Sequence, residues 1–245
     1  MSSDTIVSQS TPSGFSAIAV IRLSGSTALK ISKKISKNDQ SLKHRVAEVR
    51  NVFSGDDLID QAVFTAFHSP KSYTGEDVVE ISCHGNIHVC EATINETIKL
   101  GARIAEPGEY TKRAYINGKL NLVQAESIIQ LINARSIEAV KQQTKNLNGG
   151  TTSKIKELKA SLISNLAYLE YELDVSEDIY IDKKNLNQIK AAIKHNLSKT
   201  NQMLDTFNRG NVLSCGIKIV FIGEPNVGKS TLVNKLVGLE KSITS

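Results

Sequence analysis

Residues Gly223-Glu224-Pro225-Asn226-Val227-Gly228-Lys229-Ser230 spell G-x-x-x-x-G-K-[ST], and Thr231 follows them. In this pattern a glycine-rich turn closes backbone N–H groups around phosphate oxygens. The lysine reaches the outer phosphates, and the Ser or Thr hydroxyl holds Mg2+. The chemistry needs a strand before the loop and a helix after it. Ile217-Lys218-Ile219-Val220-Phe221-Ile222 is rich in β-branched and aromatic residues and predicts a buried strand. Leu232, Val233, Leu236 and Val237 recur at helical spacing, so a helix is predicted whose N-terminal dipole adds to the anion site. The plainer reading of the same letters is a Gly-Pro turn between two elements, and the strand-loop-helix order argues against it.

Only fifteen residues follow Ser230, whereas a nucleotide-binding α/β domain covers its first strand with further strands and helices. The acidic Mg2+ partner, the segments that sense the γ-phosphate and a base-selecting loop are all outside the sequence. The chain is therefore expected to be a fragment or a truncated product, with no measurable GTP hydrolysis of its own. Residues 217 to 245 are expected to pack poorly, since one strand and one helix build no core.

The 245 residues are 40% hydrophobic and 22% charged, with a formal net charge of +5. That is ordinary globular composition with room for two domains. The mild positive charge agrees with an anionic partner but does not demand one. Three cysteines, Cys83, Cys90 and Cys215, form no even framework and point to a reducing cytosol. The apolar run Ala17 to Ile21 is cut by Arg22, too short for a signal segment or a membrane span. A cytoplasmic protein with no membrane partner is expected.

Residues 1 to about 118 mix short β-like runs with short helices, which predicts an α+β domain. The strand candidates are 17–23, 46–53, 62–67 and 78–83; the helix candidates are 26–35, 88–100 and 110–116. From about Leu120 there is no proline until Pro225, and helical periodicity takes over. Ile155, Leu158, Leu162, Leu166, Leu169 and Leu173 form one stripe, and Leu186, Ile189, Ile193, Leu197, Leu204 and Phe207 continue in kind. Such stripes predict at least three helices packed as a bundle over 119–213, broken at Gly149-Gly150 and around Asp182 to Asn187. Asn208-Arg209-Gly210-Asn211 reads as a short linker into the incomplete nucleotide domain, 214–245.

Three further clusters carry a sharper and a plainer reading. Cys83, His84, His88 and Cys90 lie within eight residues, but only His84 and His88 have a zinc-compatible spacing, so a strand-to-helix turn on Gly85 is preferred. Glu170, Glu172, Asp174, Glu177 and Asp178 read as a solvated helix end rather than a metal site. Lys141, Lys145, Lys154, Lys156 and Lys159 read as a solvated basic face before they read as contacts to RNA phosphates.

A family resemblance rests on motifs that occur in order: Asp4-Thr5-Ile6-Val7, Ile21-Arg22-Leu23-Ser24-Gly25, Tyr73-Thr74-Gly75-Glu76-Asp77, His84-Gly85, Pro107-Gly108-Glu109-Tyr110-Thr111-Lys112-Arg113-Ala114, Asn117-Gly118-Lys119-Leu120 and Gln124-Ala125-Glu126. With the Gly-x-Pro-Asn-x-Gly-Lys-Ser-Thr loop they closely resemble the MnmE, or TrmE, family of tRNA-modification GTPases along essentially the whole chain. The sequence departs from the family by keeping only Gly14 in its N-terminal loop and by reading Asp174-Val175-Ser176-Glu177, without the usual proline.

The resemblance implies an α+β folate-binding domain similar to an aminomethyltransferase over 1–118, then a helical domain, then the first strand, loop and helix of a GTPase. It implies a homodimer through the N-terminal domain and a heterotetramer with an FAD-dependent MnmG-type protein. Together they would add a folate-derived aminomethyl-type group at C5 of the wobble uridine in certain tRNAs. The implied cofactors are GTP, Mg2+, K+ and a tetrahydrofolate derivative, 5-formyl or 5,10-methylene. By position, Arg22, Glu80 and Lys119 would contact folate, while Asn226, Val227, Gly228, Lys229, Ser230 and Thr231 would hold GTP. Ser230 would bind Mg2+ and Asn226 would bind K+, the ion that stimulates the family's GTPase. Two other readings stay open: a folate-binding and dimerisation module without GTPase activity, and a phosphate-loop ATPase unrelated to tRNA.

Overall fold

A computed structural model describes residues 4–175, 183–215, 219–224 and 227–237. Asn226 lies outside them, as do residues 217 and 218 of the expected strand. The described chain divides into two compact units: Met1–Ile129 with Asn146–Gly149, and Gln130–Lys145 with Gly150–Ser245.

The first unit is built on β1 (Thr5–Gln9), β2 (Ser16–Ser24), β3 (Ala47–Ser54), β4 (Asp57–Phe67), β5 (Val78–Gly85) and β6 (Ala102–Ile104). They lie in the order β3-β4-β5-β2-β1-β6. All neighbours are antiparallel except β1 and β6. Helices α1 (Ala28–Ile35) and α2 (Ile87–Lys99) cover one face. Strand alternation sends Ile21, Leu23, Phe64, Val79 and Ile81 to that face, where they are fully buried with Ile31 and Ile35 of α1. Each such side chain contributes about 1.5–3 kcal/mol relative to exposure. The residues between them, Arg22, Thr65, Glu80 and Ser82, fall on the opposite face and stay partly exposed.

The strand-to-helix turn after β5 is present. Asn86 caps α2 by accepting from the His88 N–H. At Gly85 a Cβ would lie 2.0 Å from Ser16 Oγ and 2.4 Å from its carbonyl oxygen, so the close approach of β2 requires glycine. Cys83 and Cys90 are buried in the core with their sulfurs 4.0 Å apart. Burial, with Cys90 beside it, pushes the Cys83 thiol up to about 12. His84 instead bonds Asp60 through Nδ1 at 2.7 Å, and His88 is exposed. Among the described residues no three His, Cys, Asp or Glu side chains group to hold a metal ion.

After α3 (Glu109–Ile116) the chain is helical: α4 (Leu122–Ile132), α5 (Ile137–Leu147), α6 (Gly150–Val175), α7 (Lys183–Cys215) and α8 (Lys229–Val237). Two expectations are corrected here. The linker expected at 208–211 is helix, because α7 continues to Cys215. One glycine costs a helix only about 1 kcal/mol against alanine, which a 33-residue helix absorbs. The strand expected before the phosphate loop is not formed over its described part, 219–222. A strand is held by its neighbours, and here Ile219, Val220 and Ile222 are 64%, 78% and 91% exposed with no ladder partner among the described residues. The helical stripes pack only in part: Ile189 of α7 is buried, whereas Leu162, Leu166, Ile193 and Leu197 remain exposed. No helix among the described residues is long and apolar enough to cross a membrane.

Candidate functional site

Arg22 and Glu80 meet because β2 and β5 pair them directly across the ladder, on the face away from α1 and α2. The guanidinium donates twice to one carboxylate oxygen, Nε at 2.9 Å and Nη2 at 2.6 Å, both to Oε1. That leaves Oε2 of Glu80 to accept from a ligand. Both side chains are about a quarter exposed, so the pair is reachable yet held.

Two tyrosines frame the arginine. Its guanidinium carbon lies 5.6 Å from the ring centroids of both Tyr73 and Tyr110, within cation-π range. The Tyr110 hydroxyl donates to the Arg22 carbonyl at 2.5 Å and accepts from Ser8 at 3.3 Å, and burial pushes its pKa up. Tyr73 is tied to Thr111 at 2.9 Å. A carboxylate edge, a cation and two flat rings together suit a planar heterocycle with paired N–H donors.

Lys119 stands apart from that pair. Its ammonium donates to the Pro70 carbonyl at 2.9 Å and makes no ion pair among the described residues. It lines a cavity of about 660 Å³ with Ser69, Pro70, Gly75, Arg113 and Asn117, and neither Arg22 nor Glu80 lines it. Between the two places runs the loop that carries Tyr73 and Gly75. Gly75 has φ +80°, and a Cβ there would press on Asn117 and Lys119 at 3.2 and 3.3 Å. Glycine thus brings the lysine close to the loop.

An ion-pair network holds these segments. Arg113 bonds Asp4 and Glu109, both at 2.9 Å, and Glu76 at 3.1 Å. Arg103 joins the same Glu109 and Asp4, both at 2.5 Å. The Arg103 hydrogen bonds, assisted by Arg113 and acting against burial, lower the Glu109 carboxyl to about 2. Burial also opposes the charge on Asp4, yet the two arginines keep its pKa below the ordinary value. Glu76 in turn accepts from Ser24, which meets Thr74, both at 2.7 Å. Asp4, Ser24, Thr74, Glu76, Glu109 and Arg113 stand inside the motifs named above without an assigned role, and Arg103 stands in none of them. No spacing rule connects Asp4 with Arg113, and only the fold does.

At the phosphate loop the structure brings Lys229 back over its own turn. Its ammonium donates to the carbonyl of Gly223 at 3.0 Å and to that of Glu224. Gly228 has φ +86°, a conformation glycine adopts without strain, and α8 begins at the next residue. Ser230 is therefore in the first helical turn, where free N–H groups point toward the loop. A Cβ at Gly228 would meet nothing within 4 Å, so glycine is required there by its backbone angle and not by crowding. The residues present fit a phosphate group, with Val227 and Thr231 exposed beside them.

Two family models match successive parts of the chain. The model of a family described as GTP-binding protein TrmE N-terminus matches residues 5–119, and that of the MnmE helical domain matches residues 122–242. Among curated proteins, a tRNA modification GTPase MnmE from Fervidobacterium nodosum is 40% identical over 99% of this chain and 53% of its own length. One from Aliarcobacter butzleri is 41% identical over 99% of this chain and 54% of its own, and one from Caldicellulosiruptor saccharolyticus is 39% identical over 100% and 55%. The chain thus spans about half the length of the curated relatives it matches.

Proposed function

This chain belongs to the MnmE family of tRNA modification GTPases, and on that premise we propose that it binds GTP at Val227 to Thr231 and a reduced folate at Arg22, Glu80 and Lys119. The observation that carries the folate reading is the Arg22–Glu80 pair between two tyrosines, with one carboxylate oxygen left to accept. Glu80 Oε2 receives the amino and ring N–H donors of the pterin. The Tyr73 and Tyr110 rings hold its plane, and Lys119 supplies positive charge for the glutamate tail. When bound, the folate supplies a one-carbon unit for an aminomethyl-type group on C5 of the wobble uridine of a tRNA, in concert with an FAD-dependent MnmG-type partner.

At the loop, Lys229 turns from the Gly223 and Glu224 carbonyls to the β- and γ-phosphates. The N–H groups of Val227 and Gly228 and the first turn of α8 receive the oxygens, and the Ser230 hydroxyl holds Mg2+. Asn226 is assigned to K+. A homodimer through the N-terminal domain is supported by the sheet face opposite α1 and α2, where Ile18 and Val49 are 62% and 65% exposed.

Two calorimetric titrations test the reading on the 245-residue chain. GTP with Mg2+ and 5-formyltetrahydrofolate are each expected to bind with one site per chain. Absence of heat with millimolar 5-formyltetrahydrofolate, in protein whose circular dichroism confirms folding, removes the folate assignment. Absence of heat with GTP removes the nucleotide assignment.

A further inference from the structure

We propose that the groove between α6 and α7 is a phosphate-binding track for RNA, a reading that rests on the assignment of the chain to a family acting on tRNA. On α6, Lys154, Leu158 and Ser161 fall at i, i+4 and i+7, and on α7 His195, Lys199 and Gln202 repeat the spacing. Each set therefore shares one helix face. The two faces enclose a cavity of about 460 Å³ lined by all six. Its floor is polar and closed: Asn196 is buried and donates from Nδ2 to Ser161 Oγ at 2.9 Å. That bond fixes the two helices side by side where the cations stand.

The charge is one-sided. Lys154, Lys199 and His195 face one carboxylate in the lining, Glu157, and none of the three is ion-paired among the described residues. Lys156, Lys159, Lys190 and Lys194 flank them and are exposed. Two other carboxylates of α6, Glu170 and Asp174, are exposed toward its other end. A small apolar ligand would leave the lysines unmatched. A run of phosphates matches them, because each contact releases a condensed counterion and tolerates solvent at the rim.

The test is fluorescence anisotropy of a labelled, unmodified tRNA transcript against the 245-residue chain at several salt concentrations. For the unaltered chain, log affinity is expected to fall linearly with log salt. Lys154→Glu with Lys199→Glu is expected to weaken binding at least tenfold and to lower the slope by about 1.4 to 1.8, since each phosphate contact adds about 0.7 to 0.9. Lys154→Gln with Lys199→Gln keeps helix propensity and should lower the slope in the same direction, so a folding defect in the reversed variant does not hide the effect. Lys30→Glu with Lys34→Glu on α1 changes net charge equally and should leave affinity within twofold. Equal weakening by the α1 pair, an unchanged slope in the α6–α7 pair, or no binding by the unaltered chain overturns the proposal. The GTP and folate titrations stand apart from every one of these results.

Discussion

Arg22 and Lys229 are both cations picked out by sequence, but the fold surrounds them differently. Arg22 sits on a six-stranded sheet, bonded to Glu80 and flanked by two aromatic rings. Among the described residues Lys229 bonds only carbonyls of its own turn, five and six residues earlier in the chain. The apolar residues before that turn, Ile219, Val220 and Ile222, are exposed. A turn and a short helix are closed by contacts within a few residues, so their spelling is enough to form them. A strand is closed by residues far away in sequence, and spelling alone does not supply those.

The contrast is broken or sharpened most strongly by deleting one apolar side chain from each region. Phe64 is fully buried, and Phe64→Ala is expected to lower stability by about 3–5 kcal/mol. Ile222 is 91% exposed, and Ile222→Ala should stay within about 0.5 kcal/mol. Urea unfolding followed by circular dichroism measures both. Similar losses from the two substitutions would show that residues 219–222 are packed after all.

The next largest effect comes from the ion network. Glu109→Gln leaves Arg103 and Arg113 short of a carboxylate, and about 3 kcal/mol is expected, at the low end for breaking a buried pair because Asp4 and Glu76 still contribute. The same group sets an acid dependence. Its folded pKa, about 2, lies below the ordinary value of 4.5. Its contribution is therefore complete above about pH 4.5 and is lost as pH falls toward 2. Thermal unfolding of the parent chain should weaken steadily over that window. The Glu109→Gln protein should show a flatter dependence there, and identical slopes would remove Glu109 from the account.

The strands at 17–23, 46–53, 62–67 and 78–83 were legible because their apolar residues cluster or alternate over several positions. β1 and β6 were not. β1 is five residues whose Ile6 and Val7 are both buried, giving no alternation, and β6 is only three residues long. The helices were legible from periodicity. The end of α7 was not, since Asn and Gly signal a break that a long helix overrides. Within the site, the family resemblance singled out Arg22 and Glu80 by position, and the β2–β5 register explains why they meet. Neither Tyr73 nor Tyr110 announced its place over Arg22, because that depends on how the loop after β4 and helix α3 fold back onto the sheet. The tie from Asp4 to Arg113 spans most of the domain and is a property of the fold alone.

The smallest effect separates the two halves of the proposed folate site. Arg22 keeps Glu80 oriented by two hydrogen bonds and lies under both tyrosines. Arg22→Ala therefore removes a direct contact and frees its partner, and affinity for 5-formyltetrahydrofolate should fall by about 1.5–3 kcal/mol, the range for hydrogen bonds to charged groups. Lys119 is more solvated: its ammonium holds one carbonyl at an exposed position. For Lys119→Ala a loss of about 1 kcal/mol is expected, because an exposed charge contributes little and is screened by salt. The salt dependence should distinguish them further, with the Lys119 contribution vanishing near 1 M salt, where the screening length is about 3 Å. Calorimetry of both variants and the double variant decides how the halves are related. Additive losses place the lysine cavity and the strand pair as separate contacts on one extended ligand. A double variant no weaker than Arg22→Ala means that the loop carrying Tyr73 and Gly75 couples them into one site, so that disturbing either side releases both.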